Sequence, residues 1–225
     1  MVMIPTLLYT HSSYSDVLSN FLSCYSKFGK SCLDITLLSD KENDFGLKQI
    51  TYDDSKSYTD RLLDCLSQYD ASHFMFLHED FFLYAKPNLE LLSDLSSIVR
   101  EDDLDFIRLI RSGDSSYLIP SSRPNLYRTL NHFAVQAMIC SKSYLLDRVS
   151  RNPDTNIWDL ELKEMHNPSN GLYYYNGEPS RGGHFDSSVF PYMATAIVKG
   201  SWNPEYKHEI LSLDINTEDR GWSQL

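Results

Sequence analysis

Short apolar runs alternate with amphipathic stretches along the first 110 residues of the chain. Apolar runs bounded by polar residues are typical of buried strands, and apolar residues spaced three and four apart predict helices. The predicted strands cover residues 6–9, 33–38, 48–52, 74–77 and 105–110. The predicted helices lie between Ser15 and Gly29, over 58–69 and over 88–100. This alternation predicts a mostly parallel sheet with helices on both faces.

The second half of the chain has a less regular pattern. Gly113, Pro120 and Pro124 interrupt residues 111–131, where we expect short hairpin strands. Farther along, the pattern predicts strands over 133–139 and 193–198, helices over 144–149 and 156–165, and a mobile loop over 171–183. The expected fold class is α/β, with a mixed, mostly parallel central sheet flanked by helices and a small antiparallel extension.

Charge and cysteine usage limit the partners and the compartment. A formal net charge of −11 argues against nucleic acid or an anionic membrane as the main partner, so local cations or a metal ion must meet any phosphate-bearing ligand. No run of about 18 apolar residues is present, and we expect no membrane span. The four cysteines are widely spaced, which predicts buried thiols in a reducing compartment. Residues 1–9 contain Pro5 and lack a basic region, which favours a first strand over a signal peptide.

The main candidate for chemistry is the triplet His78-Glu79-Asp80, which directly follows the apolar run 74–77. In an open α/β sheet the ligand crevice lies beyond the carboxyl ends of the strands. Two carboxylates at that place suit a hard divalent cation, which takes one or two protein carboxylates and leaves positions for substrate phosphates. The alternative is a solvated loop whose acidic residues cap the next segment.

Two further groups of polar residues lie at predicted strand ends and helix starts. Thr10, His11 and Ser12 follow the first strand, where hydroxyl and main-chain N–H groups can hold a nucleotide. Ser57 and Arg61 lie at the start of a helix, and an arginine there can clamp a diphosphate through two hydrogen bonds. The structural alternatives are a capping turn for the hydroxyl groups and a helix face for Arg61. The sequence contains no Gly-rich dinucleotide motif and no P-loop motif.

Several short motifs lie at or near the ends of the predicted elements. They are L-H-E-D-F after the fourth strand, F-A-V-Q-A before a helix, I-W-D-L-E-L and, near the end, V-K-G-S-W-N. These motifs, together with the order of the elements, resemble those of GT-A-type glycosyltransferases. The chain is similar to small members of this family, including the amino-terminal domain of a chlorovirus protein. The resemblance spans nearly the whole chain and implies one domain over 1–225, with a nucleotide-binding half (1–110) and a sugar and acceptor half (111–225).

The resemblance implies a metal site. In this family an Asp-x-Asp motif binds Mn²⁺ or Mg²⁺, which grips the diphosphate of a nucleotide sugar. The matching triplet keeps the last aspartate as Asp80, the implied metal ligand, whereas His78 stands in place of the first aspartate. A late histidine often joins the metal, and His184 and His208 are the candidates. The implied nucleotide-sugar-binding residues are Thr10, His11, Ser12, Ser57, Arg61, His78, Glu79, Asp80, Gln136 and Lys199.

The chemistry of the reaction suggests further roles. Breaking a sugar–phosphate bond leaves negative charge on the diphosphate, which Arg61 and Lys199 would stabilise. If configuration inverts, a carboxylate must deprotonate the acceptor hydroxyl, and Asp159 or Glu161 is the implied base. Their structural alternative is an acidic helix surface anchored by a buried Trp158. If configuration is retained, Gln136 or a backbone carbonyl near the sugar matters more.

The expected function is the metal-dependent transfer of a sugar from a nucleotide sugar, with UDP as the expected nucleotide, to a glycan or other hydroxyl acceptor. We expect the protein in the cytoplasm, which is the host cytoplasm if the gene is viral. One alternative is a metal-dependent nucleotidyltransferase or phosphohydrolase that uses the same acidic strand end. Another is a carbohydrate-binding module that has kept the fold without catalysis.

Overall fold

A computed structural model of the chain describes residues 3–30, 32–111 and 118–224. Gly113, one of the expected interruptions, lies outside the described residues. The main sheet contains β1 (Ile4–Tyr9), β2 (Leu33–Ser39), β3 (Lys48–Thr51), β4 (His73–His78), β5 (Phe106–Arg108), β6 (Leu126–Arg128), β7 (Met138–Ser141) and β8 (Gly171–Tyr174). Their order is β3-β2-β1-β4-β7-β5-β8-β6.

The first four strands of this sheet run parallel to one another. Strand β7 is antiparallel to both β4 and β5, and β6 is antiparallel to β8, whereas β5 and β8 are parallel. Two short antiparallel hairpins lie outside the sheet: β9 (Ser180–Arg181) with β10 (His184–Phe185), and β11 (Ile197–Val198) with β12 (Ser201–Trp202). The predicted α/β class, with a mostly parallel sheet and a small antiparallel extension, is confirmed.

Six helices cover the sheet in the described part of the chain. They are α1 (Ser15–Phe28), α2 (Tyr58–Gln68), α3 (Leu89–Glu101), α4 (Lys142–Ser150), α5 (Ile157–Glu164) and α6 (Lys207–Ser212). No helix among the described residues has the length and apolar character that crossing a membrane requires. Several helices begin at a side-chain cap, as at Ser57, whose hydroxyl oxygen accepts the Asp60 N–H.

Strand alternation divides the apolar residues between two cores. In β4, Met75 and Leu77 belong to the core that also contains apolar residues of α1, α3 and α6. Phe74 and Phe76 point to the opposite face and belong to the core beneath α2, α4 and α5. Successive strand residues face opposite sides of a sheet, so the continuous apolar run 74–77 of β4 must be covered on both faces.

Three sequence-based predictions in the second half are wrong in part. Residues 133–137 are not strand, because the Val135 N–H donates to the Glu161 carboxylate and the segment leaves the sheet. Only Ile197–Val198 of the predicted strand 193–198 is strand. The expected mobile loop 171–183 begins with the buried strand β8, whose Gly171 is required because a Cβ there would lie 2.2 Å from the Phe106 ring.

Candidate functional site

The carboxyl ends of β1 and β4 lie side by side and set the position of the site. Tyr9 and His78 are partners in the parallel register, so the residues that follow them leave the sheet at the same edge. His78 is buried, its ring packs against Tyr9 at a centroid distance of 5.3 Å, and its Nε2 lies 3.2 Å from the Tyr58 hydroxyl. Burial lowers the pKa of His78 to about 3, so the imidazole is neutral at physiological pH.

Glu79 and Asp80 form an acidic pair at this edge. Burial, and then repulsion by Asp80, raises the pKa of Glu79 to about 8. Burial also raises the pKa of Asp80 to about 7, although the Ile197 N–H donates to this carboxylate. Neither carboxylate has an ion-pair partner among the described residues. Attraction by Arg220 lowers the pKa of Glu79 without an ion pair between them, and this does not offset burial. The buried Glu79 and the half-buried Asp80 are therefore electrostatically unfavourable when both are ionised, and a bound cation would reduce that penalty.

This edge opens into a cleft of about 1190 Å³. The cleft brings together seven of the residues selected from the sequence. They are His78, Glu79, Asp80, Gln136, Glu161, His184 and Lys199. Strand β4, the segment between β6 and β7, helix α5 and both hairpins contribute them, so distant parts of the chain meet at one place.

Helix α5 presents Glu161 to the cleft and turns Asp159 away from it. Glu161 Oε1 accepts the Val135 N–H at 2.5 Å, and burial raises the pKa of Glu161. Asp159 is exposed and bonded to its helix cap, with its Oδ2 2.7 Å from Asn156 Nδ2. The structural alternative for these two carboxylates assumes that Trp158 is buried and anchors the helix. That assumption is wrong, because Trp158 lines the cleft and is 71% exposed. Leu160 is the buried residue that anchors the helix.

The two hairpins supply a histidine and a lysine. His184 lies in β10, and its buried Nδ1 has no hydrogen-bond partner among the described residues. Burial lowers the pKa of His184, so the ring is neutral and has a lone pair to offer. Lys199 and Gly200 form the two-residue turn between β11 and β12, with φ of 50° and 85°, the pattern of a type I′ turn. His208 lies in α6 and does not line the cleft.

Thr10, His11, Ser12, Ser57 and Arg61 lie along the same sheet edge but do not line the cleft. Three of them belong to an ion-paired cluster, which we call the edge network and which consists of His11, Ser12, Asp40, Asp54 and Arg61. Ser12 donates from its N–H and its hydroxyl to Asp40, both at 2.6 Å. His11 Nε2 lies 2.9 Å from Asp54 Oδ1, and Arg61 Nη2 lies 2.7 Å from the same oxygen.

Sequence reasoning missed Asp40 and Asp54. Each follows a parallel strand, β2 or β3, and that position is the signal that could have identified them. The ligand atoms of His11, Asp40 and Asp54 lie within 4.8 Å of one another, so these residues could hold a metal ion. Their charges, however, are already balanced in part by Arg61 and their oxygens are occupied by hydrogen bonds. The acidic pair in the cleft forms no ion pair among the described residues, and its Asp80 accepts a hydrogen bond from the Ile197 N–H.

Neither a protein-family model nor a curated protein sequence matches this chain. Solved structures do match it. Residues 1–349 of S. aureus TarS superpose with a TM-score of 0.51 at 14% identity, covering 96% of this chain and 66% of that one. The chain has a GT-A-like fold. The longer TarS structure gives the same TM-score at 13% identity, with 96% and 40% of the two chains covered.

Other solved structures match this GT-A-like chain over a smaller part of its length. A CMP:2-keto-3-deoxy-manno-octonic acid synthetase complexed with CTP has a TM-score of 0.49 and 14% identity, covering 77% of this chain and 89% of that one. An apo UDP-glucose pyrophosphorylase has a TM-score of 0.49 and 9% identity, with 76% and 90% covered. The similarity to a chlorovirus domain stays a prediction.

Proposed function

We propose that the protein is a metal-dependent glycosyltransferase that moves a sugar from a nucleotide sugar, with UDP as the nucleotide, to a glycan or other hydroxyl acceptor. One observation supports this most directly. A single cleft at the carboxyl edge of the sheet gathers the acidic pair Glu79 and Asp80, the neutral His184, Lys199 and the half-buried Glu161. In this proposal residues 1–110 hold the nucleotide and residues 111–225 hold the sugar and the acceptor, in the cytoplasm.

Asp80 and His184 are the proposed metal ligands. Both side chains line the cleft and could ligate a divalent cation, because the Asp80 carboxylate has no ion-pair partner among the described residues and the buried Nδ1 of His184 has no hydrogen-bond partner there. The Asp80 carboxylate is a ligand that suits both Mn²⁺ and Mg²⁺. A bound divalent cation would neutralise charge on the departing diphosphate.

The protein side chains have separate tasks in this proposal. Lys199 has no ion-pair partner among the described residues and lies at the cleft, where it is available to a diphosphate. Glu161 accepts the proton of the attacking hydroxyl, as inversion of configuration requires. If the product retains configuration, this assignment fails and Gln136, whose Oε1 accepts the Tyr192 hydroxyl at 2.9 Å, becomes the residue to examine. Product NMR distinguishes the two anomers.

The test is a thermal-shift panel of nucleotides and nucleotide sugars, each with and without Mn²⁺. A ligand at a hundred times its Kd adds about 2.7 kcal/mol of stability, which appears as a rise in Tm. We expect a UDP-dependent and Mn²⁺-dependent rise in the wild type that is lost in Asp80→Asn. The matched control is Asp70→Asn, the same change at an exposed aspartate outside the cleft. The absence of a shift with every nucleotide would refute the proposal.

The acidic strand end equally suits a nucleotidyltransferase or phosphohydrolase, which attacks phosphorus instead of the sugar carbon. The products separate the two reactions, because a glycosyltransferase releases UDP whereas the alternative enzymes release pyrophosphate or a nucleoside monophosphate. A carbohydrate-binding module without catalysis would consume no donor with Mn²⁺ present, and its glycan binding would survive Asp80→Asn. Chromatography of the nucleotide products is sufficient to decide.

A further inference from the structure

The rim of the cleft carries large apolar side chains that are open to solvent. We call Trp158, Leu162 and Leu130 the rim platform; they are 71%, 67% and 51% exposed. Trp158 and Leu130 line the cleft itself. Tryptophan is on average a highly buried residue, so its exposure here is unusual. A group of large apolar side chains exposed beside a cleft commonly marks a binding surface.

The exposure of Trp158 does not come from a loosely held helix. Leu160 of α5 is fully buried, and the helix begins at the Asn156 side-chain cap. Its last residue, Glu164, is buried and pairs with the buried Arg148, with Nη1 and Oε2 2.6 Å apart. A helix fixed at both ends and in its middle therefore holds Trp158 in a defined position facing outward.

Polar groups suited to a hydroxylated ligand lie beside this apolar surface. Trp158 and Glu161 are three residues apart on α5, and Trp158 and Leu162 are four apart, so they are neighbours along the helix. The exposed His166 lines the same cleft just beyond α5. The His132 N–H donates to the Met165 carbonyl at 2.7 Å, which holds the segment carrying Leu130 against the end of α5.

An indole face flanked by a carboxylate and an imidazole matches the surface of a pyranose ring. Such a ring has an apolar face of C–H groups and an edge of hydroxyl groups, and an aromatic side chain stacks on the first while polar side chains bond the second. A lipid surface is a weaker match, because the net charge of −11 repels anionic headgroups. A saccharide is therefore the better chemical match to this surface.

We propose that the rim platform is the acceptor site and that Trp158 stacks on the apolar face of an acceptor pyranose, which places a ring hydroxyl beside Glu161. This rests on the proposed transferase function and narrows its acceptor from any hydroxyl compound to a saccharide. In this proposal Trp158 binds the acceptor substrate and makes no contact with the nucleotide.

Saturation-transfer NMR tests this with methyl glycosides of glucose, galactose, mannose and xylose as probes. We expect transfer to the axial ring protons of at least one probe, retention of the signal in Trp158→Phe, and a Kd raised about tenfold in Trp158→Ala. The control is Leu211→Ala, which removes an apolar side chain that is 52% exposed on α6 and lies outside the cleft. The Mn²⁺ and UDP thermal shift should be unchanged in all three variants.

Each other outcome overturns a specific claim. Equal binding of the probes by wild type and Trp158→Ala refutes the stacking role. If no glycoside binds and vesicles containing anionic lipid bind instead, the saccharide assignment is wrong although the nucleotide shift still supports a transferase. If a glycoside binds at Trp158 but no nucleotide binds anywhere, the transferase function fails and the platform remains only as a carbohydrate-binding site.

Discussion

The edge network and the cleft lie along the same edge of one sheet and differ in how their charges are balanced. In the edge network, Asp54 contacts both Arg61 and His11, and Asp40 accepts two hydrogen bonds from Ser12. In the cleft, burial raises the pKa of both Glu79 and Asp80, and neither has an ion-pair partner among the described residues.

This difference separates groups that stabilise the fold from groups that await a ligand. A charge whose partners are already in the protein contributes to folding, whereas a buried charge without partners destabilises the protein until a ligand binds. The edge network therefore holds the loops after β1, β2 and β3 together. The cleft carries an electrostatic cost that a cation and a substrate would remove.

The largest expected effect is that of Glu161→Gln on turnover. Removing a general base lowers kcat by about 10² to 10⁴-fold, while the UDP and Mn²⁺ thermal shift remains. Burial raises the pKa of Glu161, so activity should rise with pH through a value above that of an ordinary glutamate, because the base must lose its proton. A pH profile of kcat/KM checks this. Asp159→Asn, at the exposed cap partner, is the control, and equal losses in both variants would contradict the assignment.

The next effect is a loss of stability in Asp40→Ala. Burial opposes ionisation of Asp40, but the hydroxyl and N–H of Ser12 outweigh it and lower the pKa of this carboxyl. Removing two charge-assisted hydrogen bonds should cost about 2 kcal/mol of unfolding free energy at pH 7. A carboxyl with a lowered pKa stabilises above its unfolded-state value near 3.8, so the difference should shrink as the pH falls below that value. Urea unfolding of wild type and Asp40→Ala at pH 7 and pH 3 measures the difference in unfolding free energy. If this difference is as large at pH 3 as at pH 7, lost packing and not a lost charge is its cause.

The fold was predictable from the sequence to a greater extent than the site. Apolar runs and helical periodicity depend on local spacing, and they gave β1 to β4 with boundaries that differ by a few residues. The orientation of side chains at the cleft depends on tertiary contacts. Glu161 faces the cleft because it accepts the Val135 N–H, 26 residues away in sequence. Trp158 is exposed because its near neighbour Leu160 packs into a core whose other residues come from distant parts of the chain.

A smaller effect, of opposite sign, is expected for Glu79→Gln in the absence of metal. Burial and repulsion by Asp80 raise the pKa of Glu79 to about 8, so the folded protein favours the protonated form. The contribution of protonated Glu79 to the free energy of unfolding is therefore fully present below its unfolded-state pKa near 4.5. This contribution is lost as the pH rises toward 8. The neutral glutamine should gain about 1 to 2 kcal/mol over wild type at pH 8 and little at pH 4.5. Urea unfolding in EDTA measures the gain, and an equal or lower stability of the variant at pH 8 would show that Glu79 is compensated within the protein.

The smallest effect, and the one that most directly tests where the metal binds, is that of Asp54→Asn. The Asp54 side chain is 55% exposed, so losing its pairs with Arg61 and His11 should cost at most about 1 kcal/mol. The Mn²⁺-dependent thermal shift should be unchanged, because the proposed ligands lie in the cleft. If the shift is lost in Asp54→Asn and persists in Asp80→Asn, the cation binds at His11, Asp40 and Asp54 instead. In that case the edge network would be a metal site. The difference in charge balance between the edge network and the cleft would then not show which of the two binds the ligand.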